Sequence, residues 1–178
     1  WLAALATVSV SPARRARRRG RAGHTGLGIA SRLWNEGQPS ALEAFATPEM
    51  LAADLSSLVL DLAAWGVSDP TTLGFLDMPP APAWAEAKAL LTKLDAVDTA
   101  GRLTEAGRDL AKLPLHPRLA HMVMAGAADG DAETAAELAV LIGERGLGGD
   151  DTDLGRRLDR FRTDRSRRAD EARSMARR

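Results

Sequence analysis

The 178-residue sequence contains no cysteine. That excludes disulfide frameworks, thiolate zinc sites and cysteine nucleophiles, and it fits a reducing cytoplasm, where the chain is expected to reside. Lysine is almost as scarce. A P-loop needs a glycine-rich turn closed by lysine and a hydroxyl residue, and Lys88, Lys93 and Lys112 are the only lysines, none of them preceded by glycine. The chain therefore cannot cradle a triphosphate by that route. Long apolar runs are missing as well: the opening WLAALATVSV has no basic segment before it and arginines soon after it. It is too short for a membrane span and a poor signal peptide, so it reads as a buried strand, and no membrane partner is expected. His24, His116 and His121 lack metalloprotease spacing. A structural role is expected for His116 and His121, which flank a predicted helix start, and no metal is assigned.

What is present begins with 45% apolar residues, enough for the core of one ordinary domain or two small ones. The net charge of zero hides segregation. Residues 1 to 34 hold seven arginines and no acid, residues 35 to 149 hold 7 basic against 17 acidic side chains, and residues 150 to 178 hold 10 arginines against 7 acids. A polyanion would meet the two ends first. Within the first end, RRRGRAGHTGLGIASRLW threads arginine between glycines. Arginine offers a fixed planar cation and glycine a close backbone approach, so contact with phosphate is one reading; a solvated basic arm is the other.

The middle is helical by pattern. Thr47 and Pro48 suit an N-cap and a first helical position, and Met50, Leu51, Leu55, Leu58, Val59, Leu62 and Trp65 recur at helical spacing until Gly66. A second helix is predicted near Pro82, with Trp84, Ala87, Leu90, Leu91 and Leu94 on one face, and both tryptophans are expected in the core. Asp98-Thr99-Ala100-Gly101 reads as a turn between two short extended pieces, and Thr104 starts a short helix ending before Pro114. Helix, helix, hairpin and short helix make a winged-helix-like unit. Pro117 opens a further helix through Leu119, Met122 and Val123. Asp131 is expected to cap another through Leu138, Leu141 and Ile142, the two forming an antiparallel pair joined by Asp129-Gly130. GLGGDD at 146 to 151 reads as a flexible joint, followed by a charged helix with Leu154, Leu158 and Phe161 on its apolar edge. Asp170-Glu171-Ala172-Arg173 is a near miss to a helicase acidic motif, but no strand precedes it, and it is read as a solvated helix face.

Taken in order, these pieces resemble a known family. Arg18-Arg19-Gly20-Arg21-Ala22-Gly23, then Gly26, Gly28 and Arg32-Leu33-Trp34, resemble motif VI and the following strand of DEAH-box helicases, whose pattern is Q-R-x-G-R-x-G-R. TPEMLAADLSSLVLDLAAWGV, FLDMPPAP and LTEAGRDLAKLPLHPRLAHMV are similar to the winged-helix and helicase-associated region of that family, most of all in its bacterial HrpB type. The resemblance implies a mainly α fold: a remnant strand segment of the second RecA-like α/β domain with motif VI over residues 1–34, a winged-helix-like domain over 35–113, the start of a ratchet-like helical helicase-associated domain over 114–149, and a charged helical tail over 150–178.

The resemblance also implies a function. Motif VI faces nucleotide in the family, so Arg21 falls on an arginine-finger position that stabilises charge growing on the transferred phosphate, with Arg18, Gly20 and Gly23 beside it toward the nucleotide. His24 falls on the second finger position and Arg17 on the leading glutamine, two departures from the pattern; a histidine is a poor substitute for a fixed cation. The family's P-loop, DEAH motif and first RecA-like domain would lie before Trp1. The implied parent is an ATP- and Mg2+-dependent helicase acting on single-stranded nucleic acid, RNA by resemblance. This chain would supply a finger arginine and part of the strand channel, hold no cofactor and show no ATPase activity alone, and take the missing N-terminal RecA-like domain as partner. Two other classes stay open: a winged-helix DNA-binding protein, for which residues 82 to 95 offer only Lys88 and Lys93 against Glu86 and Asp95, and a non-enzymatic helical interaction module.

Overall fold

The computed structural model of the chain describes residues 11–31, 33 and 44–177. The strand expected over residues 1–10, and Arg32 and Trp34 after motif VI, lie outside the described residues. The architecture is mainly helical, as the sequence predicts: among the described residues there are eight α-helices, and extended pairing is limited to one bridge between Val97 and Leu103. The chain divides into two compact units, one ending at Ala52 and the other beginning at Ala53.

In the first unit the basic stretch is a helix, α1 (Pro12–Ala22). Ser11 caps it by accepting the Arg14 N–H at 3.4 Å, Pro12 suits its first position, and Gly23 ends it. The Ala13 N–H donates to the Ala44 carbonyl at 3.2 Å, which ties the start of α1 to its own unit.

The helix predicted from Pro48 to Trp65 is divided. A 3-10 turn at Glu49–Leu51 stops short, and α2 (Ser56–Ala64) starts afresh. Asp54 explains the break, because its Oδ1 accepts the Ser56 N–H at 2.7 Å and takes up a donor that a continuous helix would have satisfied. The buried side of α2 is Val59, Leu60, Leu62 and Ala63. Trp65 was expected in the core but is 79% exposed: the helix has ended, and the chain reverses at Gly66 with the Val67 N–H returning to the Leu62 carbonyl.

From Ala81 to Lys93 runs α3, packed on α2 through Ala87 and Leu91, with Trp84 half-buried. Beyond it the Ala96 N–H returns to the Leu91 carbonyl at 2.8 Å, and the hairpin closes with Asp98 N–H to Arg102 carbonyl at 2.9 Å. Thr104 fastens the next helix, α4 (Glu105–Leu110), accepting the Gly107 N–H at 2.9 Å and donating to the Asp95 carbonyl at 2.5 Å. Gly107 is required by close approach, since a Cβ there would collide with the Ala96 carbonyl. This is the helix, helix, hairpin and short helix order read from the sequence.

The helical body follows. Helices α5 (Pro117–Ala128) and α6 (Ala132–Gly143) pack on each other across the Asp129-Gly130 turn. Asp131 stands at the start of α6 but its side chain makes no capping bond, contrary to expectation. Its N–H is drawn to the Gly126 carbonyl at 2.7 Å, and its ψ of 32° leaves the extended geometry from which a cap reaches the first turn. Ile142, predicted on the apolar stripe, is 43% exposed.

Helices α7 (Leu154–Thr163) and α8 (Arg167–Ala176) pack on α6 around Val140, Leu141, Leu147, Leu158, Phe161, Ala169 and Ala172. The glycine run expected to be a flexible joint is a fastened turn. Leu147 is buried within it, and the Arg157 guanidinium donates to the Leu141 carbonyl at 3.1 Å and the Leu147 carbonyl at 3.2 Å. In Asp170-Glu171-Ala172-Arg173 the two acids are exposed on the solvated face expected of them, but the next two residues turn inward. Ala172 is buried, and Arg173 lies 5.6 Å over the Phe161 ring while donating to the Phe161 and Asp164 carbonyls.

Candidate phosphate-facing site

The predicted site residues converge on one end of α1. Arg18, Gly20 and Arg21 occupy its last two turns, Gly23 is its C-cap, and His24 follows, its N–H donating to the Arg21 carbonyl at 3.3 Å. All five are exposed. Gly20 has no atom within 4 Å of the place a Cβ would take, so no packing in the described residues demands glycine there. Basic side chains in the last turn, Arg19 and Arg21, also suit the negative end of the helix dipole.

Helical spacing places Arg14, Arg17, Arg18 and Arg21 along one side, a row about 10 Å long at 1.5 Å per residue, with Arg19 on the opposite side. The helix carries no carboxylate of its own, and none of Arg14, Arg17, Arg18, Arg19 and Arg21 makes an ion pair among the described residues. What such a row can do chemically is hold phosphate oxygens with fixed, permanently charged forks.

The C-terminal arginines behave differently. Arg156 and Arg160 reach Asp151, Arg162 binds the buried Glu137 at 2.6 Å, Arg167 binds Glu171 at 2.8 Å, and Arg168, Arg173 and Arg177 reach Glu144, Asp170 and Glu133. The hydrogen bond that Arg162 donates to Glu137 holds the guanidinium's pKa above its ordinary value. Charge counting marked both ends as basic and open to a polyanion. In the structure the second end is largely neutralised by its own chain.

One pair escaped the sequence reading. Asp54, which caps α2 through Oδ1, faces His116 through Oδ2, at 3.4 Å from Nε2. His116 in turn stands at the N-cap of α5, where its Nδ1 accepts the Arg118 N–H at 3.3 Å. Burial acts to raise the Asp54 carboxyl, but the Ser56 hydrogen bonds and then the His116 interactions outweigh it and hold the carboxyl below its ordinary value. A cap residue before Pro117 is a local signal; a partner 62 positions earlier is not. Among the described residues no three histidine or acidic side chains come together as a metal set, and no helix is long and apolar enough to cross a membrane.

Comparison with known proteins adds identity to this geometry. Residues 89–115 match the winged-helix of the helicase associated domain (HA2). The chain is 39% identical over 143 residues to the ATP-dependent RNA helicase HrpB of Escherichia coli, a match covering 80% of this chain and 18% of that protein. To the ATP-dependent RNA helicase HrpA of the same organism it is 35% identical over 120 residues, covering 65% of this chain and 9% of that protein. The crystal structure of the Escherichia coli DEAH/RHA helicase HrpB superposes with a TM-score of 0.73 at 36% identity, covering 93% of this chain and 20% of that one. The chain thus spans a fifth or less of the length of these relatives.

Proposed function

We propose, for a chain that carries the helicase-associated region of the HrpB-type DEAH-box helicases, that it works as the accessory end of an ATP-driven motor on single-stranded RNA. In this reading Arg21 is the motif VI finger that faces the transferred phosphate of ATP with its Mg2+, Arg18, Gly20 and Gly23 lie beside the nucleotide, and His24 stands at the second finger position. Residues 1–34 close the second RecA-like domain and residues 35–113 form the winged helix. The helical region begins at 114, and residues 150–178 pack into it. The winged helix and helical body form part of the strand channel. The observation that carries the reading is the exposed, carboxylate-free end of α1, which presents Arg18, Arg21 and His24 together on a chain whose sequence and fold follow HrpB.

The acidic middle is compatible with a channel because several of its carboxylates are engaged within the chain: Asp54 with His116, Asp98 with Arg102, Asp109 with Lys112 and Glu137 with Arg162. The test is RNA-stimulated ATP turnover by Escherichia coli HrpB carrying this chain in place of its matching segment. An arginine finger contributes about 10³ or more to turnover, so Arg21→Ala should remove most of it while RNA affinity stays within about twofold. His24→Arg should raise it. Equal losses of turnover and RNA affinity on Arg21→Ala, or no turnover even with His24→Arg, would overturn the assignment.

A further inference from the structure

We infer that this chain's grip on a phosphodiester backbone is concentrated on α1, in Arg14 and Arg17 in line with Arg18 and Arg21, and is not shared by the arginine-rich C-terminal helices. The inference rests on the helicase reading for the kind of ligand, single-stranded nucleic acid, and on the structure for the place. Arg14 and Arg17 lie outside the positions assigned to nucleotide contact, are exposed, and pair with no carboxylate among the described residues. They extend the line of Arg18 and Arg21 toward the helix start, while Arg19 projects from the opposite side of the helix. A backbone of regularly spaced phosphates is the ligand that such a row of cations fits. From Arg156 onward, by contrast, the described arginines other than Arg165 each hold a carboxylate or, for Arg157, buried carbonyls. An arginine already in an ion pair releases less on meeting a phosphate, because the carboxylate must be given up. Two stretches with similar arginine counts therefore differ in what they offer a polyanion.

The prediction is quantitative. Each cation that neutralises a phosphate of a single strand contributes about −0.7 to the slope of log affinity against log salt. The four arginines of the row give a slope near −2.8, and removing Arg14 and Arg17 brings it to about −1.4, on the order of a 25-fold loss of affinity at 0.1 M salt. The experiment is fluorescence anisotropy of a labelled oligouridylate against the whole chain, titrated with salt. It compares Arg14→Gln/Arg17→Gln with Arg167→Gln/Arg177→Gln, a control removing the same charge. Glutamine is nearly as good a helix former as arginine, and a third variant with lysine at 14 and 17 keeps the charge if the side chains matter only as cations. The inference expects the first variant to lose about half of the slope, the C-terminal variant to stay within about twofold of the parent, and the lysine variant to recover most of the binding. Equal losses in the two glutamine variants would mean that net charge alone governs binding, and an unchanged slope in the first would mean that α1 does not touch the strand; either result overturns the inference while leaving the ATP turnover test of Arg21 untouched.

Discussion

Replacing Asp54 tests whether one carboxylate fastens two helix starts. Its Oδ1 serves the Ser56 N–H of α2 and its Oδ2 serves the Nε2 side of His116, whose Nδ1 serves the Arg118 N–H of α5. With Nδ1 accepting the Arg118 N–H, Nε2 is the ring nitrogen that turns to Asp54 as donor. Asp54→Asn keeps an oxygen for Ser56 but turns an amide NH2 toward a ring N–H, so one bond is lost and two donors face each other. Asp54→Ala loses both bonds. A cap is worth about 1 kcal/mol and a part-buried hydrogen bond about 1 kcal/mol, so Asn should cost about 1 and Ala about 2 kcal/mol. For a unit of this size 1 kcal/mol is on the order of 4 °C in Tm. Urea denaturation of both variants, of His116→Ala and of Asp54→Ala/His116→Ala measures the coupling between the two positions. Single losses that simply add, within about 0.3 kcal/mol, would refute the bracket. The pH dependence has a definite sign. A carboxyl held below its unfolded value contributes stability that is whole above that value, 3.8, and is lost as pH falls through the lower folded one. Asp54→Asn should remove that acid-side loss.

Other perturbations follow from the same contacts. Phe161 is fully buried with Arg173 over its ring, so Phe161→Ala should cost about 3–5 kcal/mol, and thermal denaturation should show it as an early melting of the α6 to α8 region. Gly148 and Gly130 both have positive φ, at 66° and 86°, but a Cβ at 148 would collide with the Arg157 carbonyl whereas 130 is open. Gly130→Ala should therefore cost about 1 kcal/mol and Gly148→Ala clearly more, and equal Tm losses would refute the packing of Arg157 against that turn.

How much of this was legible in the sequence depends on the range of the cause. Thr104 and Pro117 announce helix starts within three residues of the donors they serve, and the order of helix, helix, hairpin and short helix follows from such local marks. Helical periodicity was less reliable where a polar side chain intervened: Met50, Leu51 and Leu55 keep step with Leu58 and Leu62, yet Asp54 starts the helix after them. Trp65 kept step too, but the helix ended one residue earlier and left it exposed.

The basic stretches carry the larger lesson, because both are rich in arginine and their physics differs. Arg14, Arg17, Arg18 and Arg21 sit on a helix with no acid among them, so no carboxylate is within side-chain reach along the helix, and none pairs with them among the described residues. The C-terminal arginines are interleaved with Asp151, Asp159, Asp164, Asp170 and Glu171, and local pairs such as Arg167 with Glu171 are visible at four-residue spacing. Arg162 with Glu137 and Arg168 with Glu144 span more than twenty residues and exist only because α7 and α8 fold back onto α6. Charge counting along the chain weighs an arginine by its presence. Contact with a phosphate depends on whether the fold has already given that arginine a carboxylate, so a stretch without acids keeps its cations through folding and a mixed stretch loses them to tertiary partners. On that ground α1, and not the C-terminal segment with its greater number of arginines, is where the proposed grip on a polyanion lies.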